Sequence, residues 1–154
     1  MVISPSAHPV SPDWPVVADI AESWYFKPEG EAVLMSPGDE TEVPAGDVKP
    51  DPLDVALVIE RVNAATTLGL RSVRSSWAGL RTFTADRAPV VGRHPSDPAF
   101  FAFVGQGGYG VQMAPALALA GAELFRTGTL ADTALAAAIG PARLSATIEA
   151  GGAS

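Results

Sequence analysis

Hydrophobic and polar positions along the chain follow two periods, and the predicted elements begin and end where each period does. Trp24, Tyr25 and Phe26 form an aromatic, strand-like run closed by Pro28; Glu29-Gly30 turns the chain, and Ala32-Val-Leu-Met35 continues it as far as Ser36-Pro-Gly38. Two such runs around a glycine turn predict a β-hairpin. Asp51-Pro52 then reads as an N-cap followed by proline at the first helical position. Val55, Val58, Ile59 and Val62 recur on one helical face, so a helix is expected from about Pro52 to Ala65.

Ser72 to Phe83 reads as extended, with Trp77-Ala-Gly-Leu-Arg-Thr-Phe83 as its central piece, and Ala88-Pro-Val-Val-Gly92 gives a second short strand. Ala99 to Val104 is a continuous apolar run between Pro98 and Gly105, the composition of a strand covered on both faces, and is expected to be buried. Past Gly110, Met113, Leu117, Ala120 and Leu124 lie on one helical stripe, with Pro115 tolerated in the first turn and Gly128 as the stop. A last helix is expected from Ala131 to Ile139. Residues 1–15, with Pro5, Pro9, Pro12 and Pro15, read as an extended lead-in, and 149–154 as a frayed tail.

Composition narrows the class. The 154 residues are 47% hydrophobic and 18% charged, which suits a folded domain, while 14 prolines and 15 glycines argue against a plain helical bundle and for mixed α and β structure. A net charge of −7 repels nucleic-acid phosphates and anionic lipid headgroups, so no nucleic-acid partner is expected. No apolar run approaches the roughly 20 residues of a membrane span. The chain is expected to be soluble and cytoplasmic. Without cysteine there is no disulfide, thiolate nucleophile, Cys-ligated metal or flavin attached through cysteine. His8 and His94 have no second ligand at helical spacing and read as solvated loop residues, so no metal site is expected.

Candidate chemistry gathers at Gly105-Gln-Gly-Gly-Tyr-Gly110, four glycines in six residues between a strand and a helix. Such a loop lets backbone approach a ligand and offers helix-start N–H groups to an electron-rich atom; equally, it makes a tight strand-to-helix turn. Gly105, Gly107 and Gly110 meet the dinucleotide-fingerprint spacing, but that fingerprint needs a following parallel strand ending in an acidic residue, and none is predicted. Arg81, in an otherwise apolar stretch, either snorkels to the surface or holds a carboxylate with two parallel hydrogen bonds. Tyr25 reads as a packing aromatic or a ligand contact, and Gln112 as a helix-start residue that caps or contacts ligand.

Three ordered motifs resemble the C-terminal half of the D-amino-acid oxidase-like flavoproteins, which include glycine oxidase, sarcosine oxidase and D-amino-acid dehydrogenases. They are Trp77-Ala-Gly-Leu-Arg81, Ala85-Asp-Arg-Ala-Pro-Val-Val-Gly92 and Phe103-Val-Gly-Gln-Gly-Gly-Tyr-Gly-Val-Gln112. Trp24-Tyr-Phe-Lys-Pro28, Ala65-Thr-Thr-Leu68 and Gly105-Gln-Gly-Gly-Tyr-Gly-Val-Gln112 make the chain most similar to the D-arginine dehydrogenase type within that family. The resemblance implies an FAD enzyme that oxidises D-amino acids by hydride transfer to the flavin, leaving an imino acid that hydrolyses to a 2-oxo acid and ammonia. By the same resemblance Arg81 pairs with the substrate carboxylate, Tyr25 hydrogen-bonds that end of the substrate, and Gln112 lies beside flavin and substrate. Gly79, Gly105, Gly107, Gly108, Tyr109, Gly110, Val111 and Gln112 would contact the cofactor, with the backbone N–H groups of 107–111 turned to the flavin ring. Glutamine at 112, where some relatives carry an oxygen-activating lysine, points to a dehydrogenase.

The fold so implied is an antiparallel substrate-domain sheet (16–93) plus the closing strand and helix of the FAD domain (94–148). The family's N-terminal βαβ unit has no counterpart in the sequence. The chain is therefore expected to be a fragment, a truncated product or one subunit of a split enzyme, inactive without an N-terminal FAD-binding half, with the Ala99 to Val104 strand exposing its apolar face when isolated. The alternatives are a non-catalytic remnant that binds a protein partner, and a subunit of a sarcosine- or glycine-type amine oxidase.

Overall fold

The computed structural model describes residues 1–144, which form two compact units, Met1–Leu80 and a second beginning at Arg81. The architecture is mixed α and β, and every strand pair among the described residues is antiparallel.

The first unit is a five-stranded sheet in the order β2-β3-β4-β1-β5, from β1 (Val2–Pro5), β2 (Val17–Ala18), β3 (Tyr25–Glu29), β4 (Ala32–Ser36) and β5 (Ser75–Ser76). The expected hairpin is β3 and β4, in register from Tyr25↔Ser36 to Glu29↔Ala32. Its two-residue loop starts at Gly30 with φ +61, a left-handed conformation that costs glycine nothing and matches the twist of the strands. Register puts Val2, Met35 and Phe26 side by side on one face, and alternation puts Val33 on that same face.

Helix α1 (Pro52–Ala65) has the bounds its periodicity predicts. The Asp51 carboxylate accepts the Leu53 N–H at 2.7 Å, satisfying a donor with no partner inside the helix. Val58 and Val62, four residues apart, are fully buried with Val2, Phe26, Val33, Met35, Leu68 and Leu70, and Val55 and Ile59 pack at the margin. Past the helix, the Asn63 side chain donates to the Leu70 carbonyl and accepts from the Leu70 N–H, both at 2.8 Å, which brings Leu68 and Leu70 back over the core.

The lead-in contains more than extended chain, since β1 lies between β4 and β5 with Val2 and Ser4 buried. Only partners contributed by distant residues reveal this. Of the stretch read as extended from Ser72 to Phe83, only Ser75–Ser76 pairs as a strand.

The second unit holds β6 (Val90–His94), β7 (Asp97–Val104), α2 (Gly110–Thr127) and α3 (Thr133–Ile139). Val91, Leu117, Ala120, Leu130 and Ile139 form its core, with Met113 and Leu124 packed against it, so the α2 stripe lies where its period placed it. Gly121 is buried so close to β7 that a Cβ there would come within 2.7 Å of the Phe103 ring. Gly128 ends α2 at φ +77 with its N–H on the Leu124 carbonyl.

Two expectations are corrected here. Phe100, Phe103 and Val104 of β7 are 57%, 42% and 51% exposed while Ala102 between them is buried, so among the described residues this strand of a two-stranded sheet is covered only in part. Pro115 lies beyond the first turn, because α2 already starts at Gly110, and the missing Pro115 N–H leaves the Val111 carbonyl without its helical donor. The frayed tail, 149–154, lies outside the described residues.

Candidate functional site

The glycine loop is shaped by residues just upstream of β6. Gly105 and Gly107 have φ values of +74 and +56, where a side chain would be strained. The Phe83 ring closes one side of Gly107, with Cε1 2.6 Å from where a Cβ would stand, and the Gly107 N–H donates to the Thr82 carbonyl at 3.1 Å. Thr84 packs against Gly105 in the same way, its methyl 3.2 Å from a Cβ position. Glycine here is thus required by both backbone and packing.

Downstream the chain turns into α2. The Tyr109 N–H donates to the Gln106 carbonyl at 3.2 Å, and the Tyr109 carbonyl accepts the Met113 N–H at 3.0 Å as the first helical bond. The N–H groups of Gly110, Val111 and Gln112 precede that bond and have no acceptor within the helix. The Tyr109 side chain makes no cap hydrogen bond and no acidic residue occupies the first turn, so the first turn itself supplies no negative charge to the positive end of the 18-residue helix dipole. Val111 and Gln112 are exposed.

The turn that presents Phe83 is knitted by one carboxylate. Asp86 accepts the Thr84 hydroxyl at 2.8 Å and the Ala88 N–H at 3.2 Å, and Arg143 grips it with Nε at 2.6 Å and Nη2 at 3.2 Å. These hydrogen bonds, led by the guanidinium, hold the Asp86 carboxyl well below the usual carboxylate range. Arg87 adopts φ +62 in this turn and sets its guanidinium carbon 4.5 Å from the centroid of the Phe83 ring.

Arg81 is exposed and meets the loop: its guanidinium carbon lies 5.7 Å from the Phe83 centroid, and its Nη1 is 3.4 Å from the Cβ position of Gly108. Of the residues singled out by sequence, the second unit therefore gathers Arg81 with Gly105, Gly107, Gly108, Tyr109, Gly110, Val111 and Gln112. Two of the five amides expected to face a flavin, those of Gly107 and Tyr109, already have backbone acceptors. Tyr25 and Gly79 belong to the first unit. Tyr25 is half-buried on β3 with its hydroxyl 3.5 Å from the Met1 sulfur, and Gly79 is exposed with nothing within 4 Å of its Cβ position.

Phe83, Asp86 and Arg143 were not singled out by sequence. Phe83 and Asp86 fall inside stretches that were quoted, but only the folded chain shows that Arg143 reaches Asp86. The first unit has a cleft of about 590 Å3 beside Ser6, His8, Glu31 and Arg74, which contains none of the candidate residues. Among the described residues no three His, Asp or Glu side chains group as metal ligands, and no helix is long and apolar enough to cross a membrane. No strand follows α2 among the described residues.

The family model for FAD dependent oxidoreductases matches residues 1–124, a span that runs from β1 into α2 and includes every candidate site residue. A match over most of the chain, together with a glycine loop opening an uncapped helix beside an arginine, leads to one assignment: the chain belongs to the FAD dependent oxidoreductase family, whose cofactor is FAD.

Proposed function

We propose that these residues form the substrate- and flavin-contacting part of an FAD-dependent dehydrogenase acting on D-amino acids, of the D-arginine dehydrogenase type. The observation that carries the reading is Arg81 beside Gly108 at the open start of α2. A cation next to uncapped helix N–H groups suits an anionic substrate end and an electron-rich cofactor edge together.

The chain's own residues fit a flavin edge. Gly108 has no side chain to hold a ring away, and Gly110, Val111 and Gln112 carry N–H groups without helical acceptors. The amides of Gly107 and Tyr109 instead fix the loop's shape. In this proposal Arg81 binds the substrate carboxylate through its planar fork, Tyr25 donates a hydrogen bond to the same end, and the Gln112 amide orients the substrate beside the ring. The positive end of α2 favours negative charge on the reduced ring. When bound, the chemistry FAD supplies is acceptance of a hydride from the amino-acid α-carbon, leaving an imino acid that water hydrolyses to a 2-oxo acid and ammonia.

Residues 16–93 then belong to the substrate domain and 94–148 to the FAD domain, with Gly79 and Gly105 lining the cofactor site. The nucleotide half of FAD is held by a βαβ segment outside these residues, supplied as an N-terminal half or as a separate subunit. Uncovered apolar side chains on β7 support such a covering partner. The acidic, cysteine-free composition suits a cytoplasmic setting.

The test is a visible absorption scan with flavin titration of the chain, alone and co-expressed with the FAD-binding half of a relative. Flavin bands that bleach with D-amino acids and persist with L-amino acids support the proposal. No flavin and no bleaching in either sample would instead support a non-catalytic interaction domain, and bleaching by sarcosine or glycine alone an amine-oxidase subunit.

A further inference from the structure

The contacts of Asp86 run in two directions. Toward α3, its carboxylate meets Arg143, whose Nη1 donates to the Gly140 carbonyl at 2.9 Å and whose Nη2 donates to the Ala88 carbonyl at 2.7 Å. Toward the loop, it shares the single Thr84 hydroxyl proton with the Ala88 carbonyl, which lies 2.7 Å from the Thr84 oxygen, and the Thr84 methyl packs on Gly105. Phe83, next in the chain, closes Gly107, and Thr82 accepts the Gly107 N–H. Three successive residues, 82–84, thus touch the glycine loop, and a single carboxylate ties their turn to the segment after α3.

We propose that the Asp86–Arg143 ion pair is a positioning clamp, which holds Thr82, Phe83 and Thr84 against the glycine loop and so keeps Gly107 in its left-handed conformation. Magnitude favours positioning over bulk stability. The Asp86 side chain is 43% exposed and that of Arg143 15%, so solvent reaches the carboxylate and screens the pair, which limits its contribution to global stability. Cutting the pair should therefore release the loop before it unfolds the unit. What this does to flavin binding rests on the reading above, whereas the clamp itself does not.

Hydrogen exchange of individual amides in the full chain tests the clamp without cofactor. In Asp86→Asn, Arg143→Gln and Thr84→Val, the Gly107 amide should exchange faster by about tenfold or more, while the Gly128 and Leu70 amides stay within about twofold of the parent. Arg143→Lys, which keeps charge without the fork, should fall between. If Asp86→Asn does not fold, Thr84→Val decides. Gly107 exchanging at the parent rate in folded Asp86→Asn or Thr84→Val overturns the proposal, and so does equal acceleration at all three reporter amides. A chain that never binds flavin leaves either result readable.

Discussion

The Phe83 ring occupies the space where Gly107 lacks a side chain: a Cβ there would stand 2.6 Å from Cε1 and 2.9 Å from Cδ1 of the ring. The same glycine has φ +56 and donates its N–H to Thr82, so ring, backbone conformation and hydrogen bond coincide at one residue.

Gly107→Ala should accordingly destabilise the second unit through two separable effects. The left-handed backbone alone costs about 1–2 kcal/mol for a residue with a Cβ, and displacing the ring adds to it. Combined with Phe83→Ala, the steric part should vanish and the backbone part remain. A double-mutant cycle by denaturant unfolding reads the difference, and strict additivity would show that ring and glycine do not interact.

Asp86 sets a pH dependence with a defined sign. Its carboxyl is held below its unfolded value, foremost by the Arg143 hydrogen bonds and then by Thr84. The ionised form is thus favoured by folding, and the stabilisation is complete above the unfolded value of about 3.9 and is lost as pH falls below it. The Tm of Asp86→Asn should fall below the parent's at pH 6, with the gap narrowing below about pH 4. A gap that is constant between pH 6 and pH 3 would remove the carboxylate as its cause.

The first unit should answer to core volume. Met35 is fully buried between β1 and β3, and Met35→Ala should cost about 2–5 kcal/mol. Leu53, 73% exposed on α1, should change stability by less than about 0.5 kcal/mol when replaced by alanine. Urea midpoints of the two variants, compared at equal slope, check this contrast.

Asn63 makes a sharper case for its size. Its side chain satisfies both backbone groups of Leu70, so Asn63→Leu should strand a donor and an acceptor at a cost of about 1–3 kcal/mol each. Thermal unfolding should show a loss well beyond that of a surface substitution, and a Tm equal to the parent's would mean that water replaces both bonds.

Arg81 carries the prediction closest to chemistry. In a flavin-loaded enzyme, Arg81→Ala should raise KM for D-amino acids by about tenfold to a hundredfold, with Arg81→Lys recovering only part, because a lysine restores charge without the fork. Stopped-flow flavin reduction separates this from a loss of kcat. An unchanged KM would return Arg81 to the role of a surface residue packed on Phe83.

Local rules made much of this legible from residues alone. Asp51-Pro52 and the valine stripe set α1 because an N-cap and a 3.6-residue period depend only on near neighbours, and Gly30 set the β3–β4 hairpin for the same reason. The strand, glycine loop and α2 were legible in order, as were the Met113 to Leu124 stripe and the stop at Gly128. The ordered motifs around Arg81 and Gly105 to Gln112 also indicated the FAD dependent oxidoreductase family.

Other features needed the folded chain because their cause lies far along it. Val2–Pro5 looks like proline-broken lead-in until β4 and β5 flank it. Ala99 to Val104 reads as buried by composition, yet Phe100, Phe103 and Val104 are exposed, because burial depends on covering elements that composition does not encode. Asp86 has neighbours that hint at a turn and nothing nearby that hints at Arg143, because an ion pair across 57 residues is a property of packing. The sequence by itself determined the periods, caps, turns and family; the tertiary structure alone decided which strands pair, which apolar side chains of β7 are exposed among the described residues, and which carboxylate ties the turn beside the glycine loop to the segment after α3, since each depends on contacts between residues remote in the chain.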